Sequence, residues 1–412
     1  MKRYAMGRRS NELGYVMPDN KTVYMTDDGT NDMLSMFVAD TPGDLSAGEL
    51  FAAKLNQDSA ENGGTFTIEW VSLGRATDDE IIPLTTSLTF SDIFEVAEPV
   101  KGDLTTEAAD ASSGVRRRSL LQPKSWELAH AAPEAEETGI YMTVTCPEGF
   151  TSVNTGDSGL ECLKLKEGME VAASRLETRR YGGMLGATTE FSKMEGFTYD
   201  PPSGKGYLAM SEIRRGMEDF MSKGKPSDKY DLGGSNAIRL PYNKCGCVYA
   251  LTFDDAYRAT AMEGLLCGKP MPGDAFVEPS DADEITLELW AEEMSATNAC
   301  ELDHLANPDN IAVIPGKNLL FIGEDTVGGH QNDYVWSADL ATTPPTLTRI
   351  MSTPYGAEST SVYWHELNGW GYIIAAAQHP YVESDQDELG KPGSTGLAGY
   401  AGYLGPIPIN EA

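Results

Sequence analysis

Three times along the chain an acidic residue opens a short apolar run, a turn of Pro with Asp, Asn or Gly reverses it, and a second apolar run closes on another acid. The copies are ELGYVMPDNKTVYMTDD from Glu12, EGFTYDPPSGKGYLAMSE from Glu195 and DNIAVIPGKNLLFIGED from Asp309. A looser version, ESTSVYWHELNGWGYIIAAAQHP, starts at Glu358 and ends in Gln378-His379-Pro380. Apolar runs of this length around such turns are the signature of β-hairpins. A hairpin sets the start of its first strand beside the end of its second. Symmetry about the turns therefore predicts cross-strand pairs Glu12 with Asp28, Glu195 with Glu212, and Asp309 with Asp325. Like charges placed opposite each other destabilise a hairpin. A fault repeated in every copy calls for a compensating cation, and hard divalent cations take clustered carboxylate oxygens.

The stretches between copies hold further strand-like segments, helical periodicity is scarce, and 42 Gly and 23 Pro supply many turns. An all-β fold is expected, and recurrence of one hairpin type at wide spacing is how β-propeller blades read in a sequence. The inner strands of successive blades would bring the repeated acids to one end of a shared channel. Residues 1–100 read as the first part of such a propeller and 139–412 as its remaining blades. Between them 101–138, rich in Ala, Ser and Glu, reads as a flexible insertion, with Arg116-Arg117-Arg118 in a solvated loop. Irregular insertions are also expected near 214–235, a polar excursion with one helical turn, and over 255–300, with a short helix near Leu287–Met294.

Charge narrows the function classes. The 412 residues carry 63 acidic against 31 basic side chains, a net charge of -32. Such a surface repels nucleic acid and anionic membranes. No apolar stretch approaches the ~20 residues that span a bilayer, and Met1-Lys2-Arg3-Tyr4 does not open a signal peptide. The six cysteines show no pairing with histidines of the kind that holds structural zinc. Cys146 and Cys162 flank a turn-rich segment that reads either as a disulfide loop or as two free thiols; Cys245, Cys247, Cys267 and Cys300 show no pairing pattern. With five histidines, a histidine-rich zinc phosphatase site is not expected. There is no Gly-rich phosphate loop and no GxSxG elbow, and Ser10 has no assigned histidine partner.

Taken in order, RRSNELGYVMPDNKTVYMTDDGTN, KMEGFTYDPPSGKGYLAMSE, NPDNIAVIPGKNLLFIGED and AAAQHP resemble four segments of the PhoX-type calcium-dependent alkaline phosphatases. The resemblance runs from about Gly7 to about His379, outside the insertions. It implies a six-bladed propeller that hydrolyses phosphate monoesters with Ca2+ and Fe3+ at one mouth of its channel. It implies Glu12 as an iron-binding carboxylate, Asp27 or Asp28 as a calcium ligand, Glu195 as a metal ligand or bridge, and Asp309 as a further ligand. Glu324, Asp325 and Glu358 would stand beside them. It also implies a secreted or periplasmic protein acting on a small phosphate ester. Two departures stand out. Lys193 replaces the family's Arg two positions before the second Glu, giving charge without a planar fork. No cysteine precedes Glu12, where the family has its iron-binding Cys, so the expectation is a propeller lacking its N-terminal blades. In the implied chemistry Lys193 and Glu195 act directly, and His379 reads as a hydrogen-bonded histidine at a strand end. Two other readings fit the same acids: a calcium-dependent lactonase-like propeller using Asp309, Asn307 and Asn310, and a calcium-stabilised module without catalysis.

Overall fold

The computed structural model describes residues 2–105, 117–119, 141–271, 298–325, 329–380 and 399–409. Its backbone is organised as antiparallel sheets standing side by side like blades. The first runs β1 (Asn11–Val16), β2 (Thr22–Asp27), β3 (Ser35–Thr41) and β4 (Asp44–Ser59), and β5 (Thr65–Thr77) extends it. The second holds β6 (Met194–Asp200), β7 (Lys205–Met210), β8 (Cys247–Phe253) and β9 (Ala259–Cys267). Because β5 pairs with β9, these form one nine-stranded sheet of order β1-β2-β3-β4-β5-β9-β8-β7-β6. Its ends meet, Tyr15 of β1 packing on Phe197 of β6 with ring centroids 5.4 Å apart. The third blade is β10 (Pro308–Ile314), β11 (Leu319–Glu324), β12 (Tyr334–Asp339) and β13 (Thr346–Ser352). The fourth is β14 (Glu358–Leu367), β15 (Trp370–Gln378) and β16 (Tyr400–Pro408).

One apolar core fills each interface between blades. Tyr24, Phe197, Leu208, Tyr249 and Met262 join the first two, with Tyr24 stacked on Phe197 at 4.8 Å. Val248, Ile311, Leu320 and Trp336 join the second and third, and Ile314, Phe321, Val362 and Ile373 the third and fourth. β6, covered on both faces, is buried at every residue, whereas β1 and most of β14, at the two flanks, are only partly buried or exposed. A second core lies under β3 and β4, where helices α1 (Glu170–Leu176) and α2 (Thr178–Met184) pack. No described helix is long and apolar enough to cross a membrane.

Three disulfides close the cysteine count: Cys146–Cys162, Cys245–Cys300 and Cys247–Cys267. The first decides for a disulfide loop over two free thiols at Cys146 and Cys162, and the third links directly opposed residues of β8 and β9. The excursion at 214–235 has its helical turn at Arg215–Met217. The expectation of irregular chain over 255–300 is corrected at Ala259–Cys267, a nine-residue strand. Its bulged register with β8 spoils the strict alternation by which a strand is recognised. Most of 101–138 and the helix expected near Leu287–Met294 lie outside the described residues.

Candidate metal centre

The inner strands β1, β6, β10 and β14 stand next to one another, and each carries a register break in its first half. These lie between Asn11 and Gly14, Met194 and Phe197, Pro308 and Ile311, and Thr360 and Tyr363. Glu12, Glu195 and Asp309 sit on these bulges. A bulge bends the strand and re-aims a side chain, so the cross-strand pairs expected from hairpin symmetry are not the ones formed. Asn11 faces Asp27, Met194 faces Met210, and Pro308 faces Glu324. The acids are turned instead toward the neighbouring blades. Glu12, Glu195 and Asp309 each offer an oxygen, and these atoms lie within 4.8 Å of one another.

Lys193, held at φ 55°, places its ammonium among them. Nζ lies 2.8 Å from Asp28 Oδ1, 3.2 Å from Glu195 Oε1 and 3.8 Å from Asp325 Oδ2. Ser211 Oγ donates to Glu195 Oε1 at 2.7 Å, and Asn310 Nδ2 donates to Asp309 Oδ1 at 2.9 Å. Thr26 Oγ1 donates to the Glu195 carbonyl at 2.7 Å, tying the first inner hairpin to the second. On the fourth blade Glu358 opposes Gln378 and lies 3.0 Å from His379 Nε2, so this histidine is the hydrogen-bonded strand-end residue expected.

The electrostatics are those of too many acids for one lysine. Burial pushes Glu195 up to about 8, with Asp28 and Asp325 adding to the push and Lys193 opposing it. Burial raises Asp325 to about 7, Lys193 again opposing and Glu358 adding. Asp309 is held well above the usual carboxylate range by burial and by Glu195 and Asp325, and Glu12 is raised by burial and Asp28. Lys193 is raised despite its burial because Glu195, Asp325 and Asp28 together hold its proton. A group of carboxylates that cannot all ionise at neutral pH is one that a cation would discharge.

Close approach of the strands depends on Gly196. A Cβ there would lie 2.5 Å from the Asp309 carbonyl oxygen and 2.9 Å from the Ile311 nitrogen, both rigid backbone. Gly196→Ala should therefore lever β6 from β10, costing about 1–3 kcal/mol and separating Glu195 from Asp309. Urea unfolding and calcium titration of the variant check this; unchanged midpoint and affinity would mean the strands can part freely.

Of the residues singled out in the sequence, Glu12, Asp28, Lys193, Glu195, Asp309, Asp325 and Glu358 come together here. Asp27 is fully buried beside them but lies in the field of Arg9 and Arg179, and burial still raises it to about 6. Glu324 is turned elsewhere. Its oxygens accept from the Ala306 and Tyr334 amides and Trp336 Nε1 and pair with His330 Nδ1 at 2.9 Å. Glu212 does not oppose Glu195; it pairs with Arg214 Nη1 at 2.5 Å. Asn307 is buried and its Nδ2 donates to the Ser211 and Lys244 carbonyls, while its Oδ1 has no hydrogen-bond partner among the described residues. Ser211 and Arg214 went unmarked in the sequence. The serine in LAMSE precedes the closing acid and could have been read as its partner, whereas nothing local signals the arginine. Below the acids the inner strands line an open trough of about 730 Å³, walled by Leu13, Phe197, Ile311 and Val362 among others.

Blades side by side, with acids gathered at one end of their inner strands, define a β-propeller carrying a carboxylate-rich centre. Among solved structures, PhoX from Pseudomonas fluorescens in complex with vanadate, a transition state analogue, is similar in fold, with a TM-score of 0.50 and 16% identity. The match covers 98% of this chain and 54% of that one, so the chain spans about half the length of that structure. No protein-family model and no curated protein matches the sequence.

Proposed function

We propose that this chain is the metal-holding part of a phosphomonoesterase related to the PhoX type. The observation that carries the reading is the convergence of Glu12, Glu195 and Asp309 from three successive inner strands, with the ammonium of Lys193 held at the edge of that group by Glu195, Asp28 and Asp325. The fold it shares with a protein that binds vanadate supports the same reading.

The donor set is all oxygen and suits calcium. Glu12, Glu195 and Asp309 would hold the ion, with Asp28, Asp325 and Glu358 completing its surroundings. Ferric iron held through a thiolate does not fit this chain, because its six cysteines are all in disulfides. A bound cation would supply Lewis acidity toward the ester oxygens and a more acidic bound water. The chain's own residues do the rest. Ser211 fixes the rotamer of Glu195, and His379 fixes Glu358. Lys193, held by Asp28, Glu195 and Asp325, would offset the charge of the phosphoryl oxygens. The trough leaves room for the organic part of the ester. Disulfides of this number fit an oxidising compartment and hence a secreted or periplasmic protein.

A second reading, a calcium-stabilised module without catalysis, draws on two features. Lys193 is engaged by three carboxylates rather than presented free, and its ammonium lacks the planar fork of a guanidinium. Calcium-dependent release of p-nitrophenol from its phosphate, lost on chelation, decides for the phosphatase. Activity on a lactone but not on the ester would point to lactonase chemistry, and thermal stabilisation by calcium with neither activity to the module. Lys193→Gln sharpens the test. It should lower kcat/KM for the ester by about 10²-fold while tightening calcium binding, because a competing cation is gone. Unaltered hydrolysis would remove Lys193 from the mechanism.

A further inference from the structure

The excursion between β7 and β8 buries polar groups that the proposed chemistry does not use. Asp231 is 0% exposed, and apart from the Phe220 amide nothing among the described residues hydrogen-bonds its carboxylate. Asn236 is 2% exposed with an unpartnered Oδ1, while its Nδ2 donates to Asp219 Oδ1 at 2.9 Å. Asp219 itself reaches solvent. The neighbouring acids are already satisfied. Glu190 accepts from Ser235 Oγ and the Ile238 amide, both at 2.7 Å. Glu218 accepts from the amides of Arg215, Lys223 and Gly224 at 2.8, 2.6 and 2.7 Å. Their charges are thus fixed in place around Asp231. Burial pushes Asp231 up to about 9, and Glu190, Asp219 and Glu218 push the same way, against a weaker pull from the Phe220 amide.

A buried carboxylate facing three acids, with most of its lone pairs unused, must take either a proton or a metal ion. A proton would need an acceptor for the new O–H, and the one described group that reaches the Asp231 carboxylate, the Phe220 amide, is a donor. A cation would use both carboxylate oxygens and the idle amide oxygen of Asn236, with Asp219 and water closing the exposed side. We propose that Asp231, Asn236 and Asp219 form a calcium site that clamps the excursion to the core, where Met217, Ile238 and Leu240 are packed. All donors are hard oxygens on a turn-rich loop, the pattern calcium tolerates and magnesium does not. This site is built from different residues than the acid mouth and does not rest on the phosphatase reading.

The test uses the full chain with the mouth disabled by Glu12→Gln, Glu195→Gln and Asp309→Asn. After chelation, terbium should bind in one equivalent, its emission sensitised through the adjacent Tyr230 and displaced by calcium. Adding Asp231→Asn should lower the affinity at least 10-fold and remove the calcium-dependent rise in Tm. Asn236→Ala, which leaves every acid in place, should weaken binding less and in the same direction. The proposal is overturned if the mouth-disabled protein binds no ion, or if Asp231→Asn, native by circular dichroism, binds it with unchanged affinity.

Discussion

Glu195→Gln should abolish calcium-dependent hydrolysis of p-nitrophenyl phosphate, with a loss of at least about 10³-fold in kcat. The side chain is isosteric, so the hydrogen bond from Ser211 and the packing of β6 survive. What is lost is the negative charge at the point where three inner strands meet. The same exchange removes a buried carboxylate that Asp28 and Asp325 repel. The variant should thus be more stable than wild type without metal and less stable than wild type in saturating calcium. Crossing stability curves of this kind distinguish a metal ligand from a structural residue, whose loss would destabilise both forms. Wild-type turnover in the variant would take Glu195 out of the centre.

Stripping the protein of cations should make its stability fall as pH rises. Glu195 and Asp325 sit at about 8 and about 7 in the folded chain, well above the roughly 4 of unfolded carboxyls. Between those values the folded state binds protons that the unfolded state has released, so stability is full below about pH 4 and lost through pH 7–8. The accumulated loss is on the order of several kcal/mol, since each displaced unit is worth about 1.36 kcal/mol. Calcium should restore the alkaline limb and leave acid stability nearly unchanged. Urea melts at pH 5 and pH 8, each with chelator or calcium, measure this. A chelated protein equally stable at both values would mean that the acids are discharged by something other than a cation.

Much of this arrangement is legible in the sequence. Apolar hairpins bounded by acids announced the inner strands, because strand alternation and turn chemistry are local properties. The meeting of Glu12, Glu195 and Asp309 followed from their equivalent places in successive copies. The partners of those acids did not follow. Symmetry about a turn assumes an unbroken ladder, and a bulge leaves no mark in a single strand's pattern. The assignment of Asp28 to Lys193 and of Glu212 to Arg214 therefore had to be seen. Glu324 shows a different limit: it closes its hairpin just as the other acids do. It is drawn inward by Trp336 and His330, which lie several residues further along the chain. Helices α1 and α2 pack on the first blade from a segment outside the repeated hairpins.

The bulges also separate two ends of each inner hairpin. Because the offset at Glu195 is set within β6, the reversal at Pro201–Gly204 has no say in where that carboxylate points. Loops at the far rim are thus free to lengthen, shorten or be exchanged over generations, or at the bench, while the mouth keeps its aim.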